Sequence, residues 1–247
     1  MYKFFVSTNQ ILDKHIKIIG EDVNHISNVL RLRVLDKIIV SNKDTAKSYI
    51  AEIINISTGS VECKILDENL KSTESKVNID IFQGLPKADK MEFIIQKTIE
   101  LGVRNIYPIK MERCVVKFDK STEAKKIERW QRIAEAAAKQ SKRDIIPKIE
   151  NILDIENICQ NIEKYDIILL AYENEEDNTI KYELQKLDRN KKLNIGIVIG
   201  PEGGLSEKEV KELTQSGAKC VTLGKRILRT ETASLVMLGD IIYEFEL

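Results

Sequence analysis

The sequence predicts an α/β protein with a mainly parallel sheet, preceded by a smaller β-rich module. Three observations carry that prediction. From Val77 onward, strand-length apolar runs alternate with amphipathic stretches over about 170 residues, the pattern of helices packed on a parallel sheet. Before it, Glu68–Lys76 is polar and lacks apolar periodicity, so it reads as a linker. Near the C-terminus, two apolar runs end in glycine-bearing turns, Ile199–Glu209 and Leu223–Ala233, each followed by an amphipathic stretch. Strand-to-helix turns of this kind are where open α/β sheets bind ligands.

The composition bounds the function. The chain has 247 residues, enough for one large domain or two modest ones. Its 39 Lys and Arg balance 39 Asp and Glu, so no global field draws it to nucleic acid or membrane. Charge is uneven locally: Lys110–Lys148 holds twelve basic and six acidic residues, while Glu173–Asp177 is acidic. Four dispersed cysteines and two histidines, with no C-x-x-C pair, argue against zinc and against a disulfide framework. No metal is expected. The N-terminus lacks the apolar core of a signal peptide, and no apolar run approaches the roughly 18 residues of a membrane span. A cytoplasmic protein without membrane association is the expectation.

The elements follow in order. Lys37–Val40, Ser48–Ile53 and Val61–Ile65 alternate as short strands, and Glu21–Arg31 reads as one short helix. After the linker, Val77–Phe82 is a strand and Met91–Leu101 a helix stopped by Gly102. Asn105–Ile109 is a strand, and Thr122–Arg143 is a long helix with Ile127, Trp130, Ala134, Ala137 and Ala138 along one stripe. Asp166–Ala171 and Leu193–Ile199 are continuous apolar runs, as strands covered on both faces should be. Ser206–Gly217 is a helix opened by a capping box of Ser206 and Glu209. Lys219–Leu223 is a strand, and Ala233–Phe245 an apolar helix that closes the chain.

In the first turn, Gly200, Gly203 and Gly204 permit close backbone approach, Pro201 stiffens it, and Glu202 stands at its tip. Neither turn carries G-x-G-x-x-G or a phosphate-loop Lys-Ser/Thr, which disfavours a dinucleotide or triphosphate. The second turn mixes apolar and basic residues, suited to an adenine ring beside an anion. The plainer reading is two glycine turns leading into capped helices. On the long helix, Arg129, Arg132, Lys139, Lys142 and Arg143 accompany Gln140 and follow Arg113, Lys117 and Lys120. Such residues either bind phosphate or complement the helix dipole. His25 has no evident acid or nucleophile partner, so a structural role competes with a catalytic one.

Taken together, these segments resemble the bacterial ribosomal small-subunit methyltransferase E family of the SPOUT superfamily. The resemblance rests on His25 with Val29-Leu30-Arg31; Gln83 and Lys87 with Met91-Glu92, Gln96-Lys97 and Glu100-Leu101-Gly102; Glu112-Arg113; Trp130, Ala136-Ala137, Gln140 and Arg143; Ile199–Gly204; and Leu228–Thr232. It implies a PUA-like β-barrel over 1–70 that helps bind RNA, a linker at 71–76, and a SPOUT methyltransferase domain over 77–247 with a trefoil knot at about 196–235. It further implies a homodimer, S-adenosylmethionine as cofactor, and methylation of uracil N3 in 16S rRNA of the small ribosomal subunit. Three positions depart from the family pattern: Lys3 where Arg is common, Ser41–Asp44 in place of an Asp-Gly-type turn, and Lys139 where an acid is frequent. The first two are expected to touch RNA contact detail.

The resemblance assigns roles residue by residue. Ile199, Gly200, Pro201, Glu202 and Gly203, with Leu223, Gly224, Ile227 and Leu228, would enclose the cofactor, and Leu170, Ala171 and Tyr172 would complete the floor. Arg229 would stabilise charge on the uracil, and Glu202 or Glu231 would take its proton. His25, Arg31, Arg113, Gln140, Arg143 and Arg229 would meet RNA. Two other readings remain beside it: transfer RNA or 23S rRNA as substrate, and a non-catalytic RNA-binding protein of the same fold. A small-molecule enzyme with an adenosine cofactor is a third.

Overall fold

The structure, a computed structural model, describes every residue except Asn69, Lys117 and Leu247, and Lys120 by its backbone alone. The basic positions expected at Lys117 and Lys120 therefore lie outside the described side chains. The chain divides into two compact units: Met1–Glu74 with Ala138–Ile146, and Ser75–Ala137 with Pro147–Leu247. The break after Glu74 falls inside the expected linker, but the assignment of residues 138–146 to the first unit was not foreseen.

The first unit contains β1 (Lys3–Val6), β2 (Ile11–Leu12), β3 (His15–Ile19), α1 (Glu21–Asn24), β4 (Lys37–Asn42), β5 (Ser48–Ile56) and β6 (Ser60–Asp67). They form one six-stranded sheet in the order β1-β4-β5-β6-β3-β2, antiparallel except for the β1–β4 pair. Register shifts in β5 between Ile50 and Ala51 and between Ile53 and Asn55 bend the sheet, as bulges do. One core results, built from Phe4, Ile16, Ile18, Ile38, Val40, Ile53, Val61 and Cys63, closed by Val23 and Ile26. Burial pushes the Cys63 thiol up to about 12, so it stays a protonated apolar filler. The helix expected over Glu21–Arg31 is α1 continued by a π-helical turn, His25–Val29, in which the His25 ring packs edge-on against Phe4.

A buried charge cluster ties the chain crossing points of this unit together. Asp144 accepts from Lys3 Nζ at 2.6 Å, Ser48 Oγ at 2.6 Å, Ser72 Oγ at 3.0 Å and the Thr73 amide at 2.8 Å. Beside it, the Arg143 guanidinium is paired with Glu74, and Glu74 also accepts from the Asp144 amide at 2.7 Å. Two expectations are corrected here. Lys3 is buried in an ion pair, so its departure from the family pattern concerns packing rather than RNA contact. Arg143, expected at RNA, has a side chain only 5% exposed and is held by Glu74. The polar composition of Ser72–Glu74, read as a free linker, instead supplies partners for these buried charges. Lys139 likewise pairs with Asp22 at 2.8 Å.

The second unit alternates strand and helix. It comprises β7 (Asn78–Gly84), α2 (Lys90–Glu100), β8 (Asn105–Lys110), most of α3 (Lys120–Gln140), β9 (Lys148–Ile149) and β10 (Leu153–Asp154). It continues through α4 (Ile155–Gln160), β11 (Ile167–Ala171), α5 (Ile180–Leu184), β12 (Asn194–Ile199), α6 (Glu207–Ser216), β13 (Lys219–Val221) and α7 (Thr230–Glu246). All seven strands pair in parallel, in the order β10-β8-β7-β12-β11-β13 with β9 beside β8. The central strands are buried on both faces, as continuous apolar runs require. Four of the five residues of the expected stripe on α3, Trp130, Ala134, Ala137 and Ala138, are buried, and Ile127 is half-buried. The helix ends at Gln140 rather than Arg143, and Lys142 turns the chain with φ +59°.

The two ends of this sheet do different work. At the amino ends, fully buried Asp80 accepts from Arg104 Nε at 2.8 Å, Tyr165 OH at 2.8 Å and Asn105 Nδ2 at 3.1 Å. Burial, and the Asp80 carboxylate after it, push the Tyr165 phenol far up, so it remains a donor. That network locks the strands together. The carboxyl ends are left for the site.

Candidate cofactor and base cavity

A cavity of about 1050 Å³ opens at the carboxyl ends of β11, β12 and β13. Its walls are the turn after β12 (Ile199–Leu205) and the segment before α7 (Thr222–Thr230), with Ala171–Glu173 below. The two turns singled out in the sequence are thus brought face to face. Ala171, Tyr172, Ile199, Gly200, Pro201, Glu202, Gly203, Leu223, Gly224, Ile227 and Leu228 all line the cavity, as does Arg229. Leu170 does not: it is completely buried inside the sheet, since side chains along a strand alternate and only the last residues reach the mouth. Glu231 is also absent from the lining, although it shares a cation with Glu202.

Local chemistry explains each wall. In the first turn the Gly204 amide donates to the Pro201 carbonyl at 2.9 Å, and Gly204 has φ +67°, a conformation that suits glycine. The helix that follows begins with the predicted capping box: the Glu209 amide donates to Ser206 Oγ at 3.3 Å, and the Ser206 amide to Glu209 Oε2 at 2.8 Å. Glu209 spends its other oxygen on the Glu112 amide at 2.7 Å, which fixes the neighbouring Arg113. Arg113 Nη1 then donates to the Gly203 carbonyl at 3.0 Å, so Arg113 braces the turn. The second wall hangs from Asn178, whose Nδ2 donates to the Cys220 carbonyl at 2.7 Å and whose carbonyl accepts from the Thr222 amide at 2.8 Å.

Packing under the first turn is tight. A Cβ on Gly84, at the end of β7, would sit 2.7 Å from both Pro201 N and Cδ, atoms with little freedom to move. Gly84→Ala is therefore expected to displace Pro201. Overpacking of this kind costs about 1–3 kcal/mol, and where it falls on the bound state it weakens ligand affinity by about 5- to 150-fold. Calorimetric titration of the variant checks this. Unchanged affinity would show that the turn's position is not critical.

The charges in the cavity are unequal. Lys90 Nζ lies 3.1 Å from Glu202 Oε1 and 3.1 Å from Glu231 Oε2, bridging the two turns from the start of α2. The Glu202 and then the Glu231 carboxylates raise the Lys90 pKa, so it stays cationic. Burial pushes the Glu202 carboxyl up, but its own amide, the Lys87 amide and Lys90 outweigh it and hold it below its ordinary value. Arg229, by contrast, is exposed, and its guanidinium has no ion-pair or hydrogen-bond partner among the described residues. Ile227, 88% exposed, offers an apolar wall open to solvent.

Lys90 was missed by sequence reasoning. A signal existed: a lysine in the first turn of a helix opposes the macrodipole, so its position there asks for another reason. Of the expected RNA contacts, Arg31 and Gln140 are exposed and His25 half-buried, all in the first unit. Among the described residues no cluster of His, Cys, Asp and Glu could hold a metal ion, and no helix is long and apolar enough to cross a membrane.

Comparison with known proteins agrees with this geometry. An RNA methyltransferase domain model matches residues 73–242, and an RNA methyltransferase PUA domain model matches 18–66. The chain is 37% identical to ribosomal RNA small subunit methyltransferase E of Bacillus subtilis, covering 100% of this chain and 98% of that one. The same-named protein of Buchnera aphidicola from Acyrthosiphon pisum is 31% identical over 95% of this chain and 90% of its own. Among solved structures, that enzyme from Neisseria gonorrhoeae bound to S-adenosyl methionine superposes with a TM-score of 0.87 at 31% identity, covering 99% and 98% of the two chains. A putative methyltransferase from Legionella pneumophila, in complex with the bound cofactor SAM, gives 0.85 at 27% identity over 98% and 97%. The fold, the paired turns and these relatives together place the chain in the ribosomal RNA small subunit methyltransferase E family.

Proposed function

We propose that this protein methylates N3 of one uracil in 16S rRNA, using S-adenosylmethionine held between the two turns. The single observation that carries the reading is the cavity of about 1050 Å³ enclosed by Ile199–Leu205 and Thr222–Thr230. That volume lies just above the usual range for small-molecule sites, roughly 300–1,000 Å³, and leaves room for a nucleobase beside a cofactor. Its lining fits the group: glycine backbone for close approach, Ile199, Ile227 and Leu228 as apolar walls, and Arg229, whose guanidinium is unpaired among the described residues. The trefoil knot expected over 196–235 and the homodimer belong to the same proposal.

The cofactor, when bound, supplies an electrophilic methyl group. The chain's residues align the reactants and exclude water from between them. Arg229 faces the charge that spreads over the ring oxygens once N3 loses its proton. Glu202 lines the cavity whereas Glu231 does not, so Glu202 is the proton acceptor in this reading. Lys90 and the Lys87 amide keep it ionised and in place, at some loss of basicity. His25, Arg31 and Gln140 remain the proposed RNA contacts of the first unit.

The test is methyl transfer from labelled S-adenosylmethionine to 30S subunits of a strain lacking this gene, mapped by mass. The expected product is one 3-methyluridine in 16S rRNA. Label in transfer RNA or 23S rRNA alone would overturn the substrate. No label with any RNA, and no heat on titration with S-adenosylmethionine, would leave a non-catalytic RNA-binding protein.

A further inference from the structure

A second feature lies directly behind the cavity wall. Gln83, the penultimate residue of β7, is completely buried in a strand whose other inner positions are mostly apolar. A buried amide is costly unless every polar atom is used, and here they are. Nε2 donates to the Gly84 carbonyl at 2.9 Å and to Thr230 Oγ1 at 2.9 Å. Oε1 accepts from Ser234 Oγ at 2.6 Å. Thr230 Oγ1 in turn donates to the Gly200 carbonyl at 2.6 Å.

The proton directions in this chain follow from the chemistry. A backbone carbonyl only accepts, so the Gly84 carbonyl forces the NH2 end of the Gln83 amide to face it. The same NH2 then faces Thr230 Oγ1, which must accept there. A threonine hydroxyl has one proton, and it is left for the Gly200 carbonyl. Gly200 and Thr230 both line the cavity, and Thr230 directly follows Arg229.

We propose that Gln83 is a positioning residue for the methyl donor: its amide orients the Thr230 hydroxyl, which clamps the Gly200 carbonyl and so fixes the spacing of the two cavity turns. The inference rests on the reading that this cavity takes S-adenosylmethionine. It goes beyond a packing role, because a buried hydrogen-bonded pair that served stability alone is replaceable, both partners together, by apolar groups of the same shape at little cost. What an apolar group cannot do is dictate the direction of a hydroxyl proton.

The experiment is calorimetric titration of the full-length protein and three variants with S-adenosylmethionine, well below their melting temperatures. Gln83→Met keeps the shape and removes the donor; Thr230→Val removes the hydroxyl; Thr230→Ser keeps it. Gln83→Met and Thr230→Val are expected to weaken binding by about tenfold or more, a loss of about 1.4 kcal/mol. The double variant should lose no more than either alone, since the two act as one clamp. Thr230→Ser should regain most of the affinity lost in Thr230→Val, and the KM for RNA should not move. Wild-type affinity in Gln83→Met, or Thr230→Ser as weak as Thr230→Val, would overturn the clamp while leaving the cofactor reading intact. Absence of binding by the wild type would overturn the cofactor reading, and the clamp with it.

Discussion

Replacing Asp144 with alanine is expected to destabilise the first unit by about 3–5 kcal/mol, the penalty for breaking a buried ion pair and stranding one charge. Lys3, with a side chain 2% exposed, would keep only the Lys142 carbonyl at 3.0 Å. Ser48, Ser72 and the Thr73 amide would lose their acceptor as well. Against a total of about 5–15 kcal/mol for ordinary domains, the loss is large. Urea unfolding followed by circular dichroism measures it. A change below about 1 kcal/mol, the average for point mutants, would show that the cluster is replaceable.

The same carboxylate gives a pH dependence with a definite sign. Burial pushes the Asp144 pKa up, but Lys3, Ser48 and Thr73 outweigh it, and its net value lies below 3.8. A folded pKa below the unfolded one contributes stability that is present above the unfolded value and is lost as pH falls through the folded one. The wild type should therefore lose stability from this group only below about pH 4, whereas Asp144→Asn should lack this component of acid sensitivity.

Arg229→Ala is expected to lower kcat by a factor on the order of 10²–10³, the loss typical when one preorganised charge-stabilising donor is removed. Because the Arg229 side chain is exposed and unpartnered among the described residues, the fold should change by about 0.5 kcal/mol or less. Affinity for S-adenosylmethionine should stay close to wild type. Single-turnover methylation of 30S subunits, with calorimetry on the same variant, separates these effects. Near-normal turnover with the cofactor bound would remove Arg229 from the chemistry.

Sequence patterns revealed what depends on neighbours along the chain. The runs at 166–171 and 193–199 are β11 and β12 within a residue, because strands covered on both faces must be continuously apolar. Ser206 and Glu209 announced α6 because a capping box lies within four residues. The glycine turns were legible for the same reason, and they proved to face one another.

What depended on distant partners was not legible. β1 pairs with β4 more than thirty residues later, and its buried Lys3 breaks any apolar pattern. Arg143 looked like a phosphate ligand because Glu74 lies 69 residues away in sequence. Lys90 could not be tied to Glu202 and Glu231 until the two turns were brought together in space. Leu170 was placed in the floor because sequence shows where a strand ends but not which of its residues reaches the mouth.

The central claim is that the two turns enclose the methyl donor, and a crystal structure of the protein grown with saturating S-adenosylmethionine tests it most directly. The account predicts density for the adenosine and the sulfonium between Ile199–Leu205 and Thr222–Arg229, within reach of Arg229. Density at any other place on the molecule, with these turns in contact and nothing between them, would contradict it.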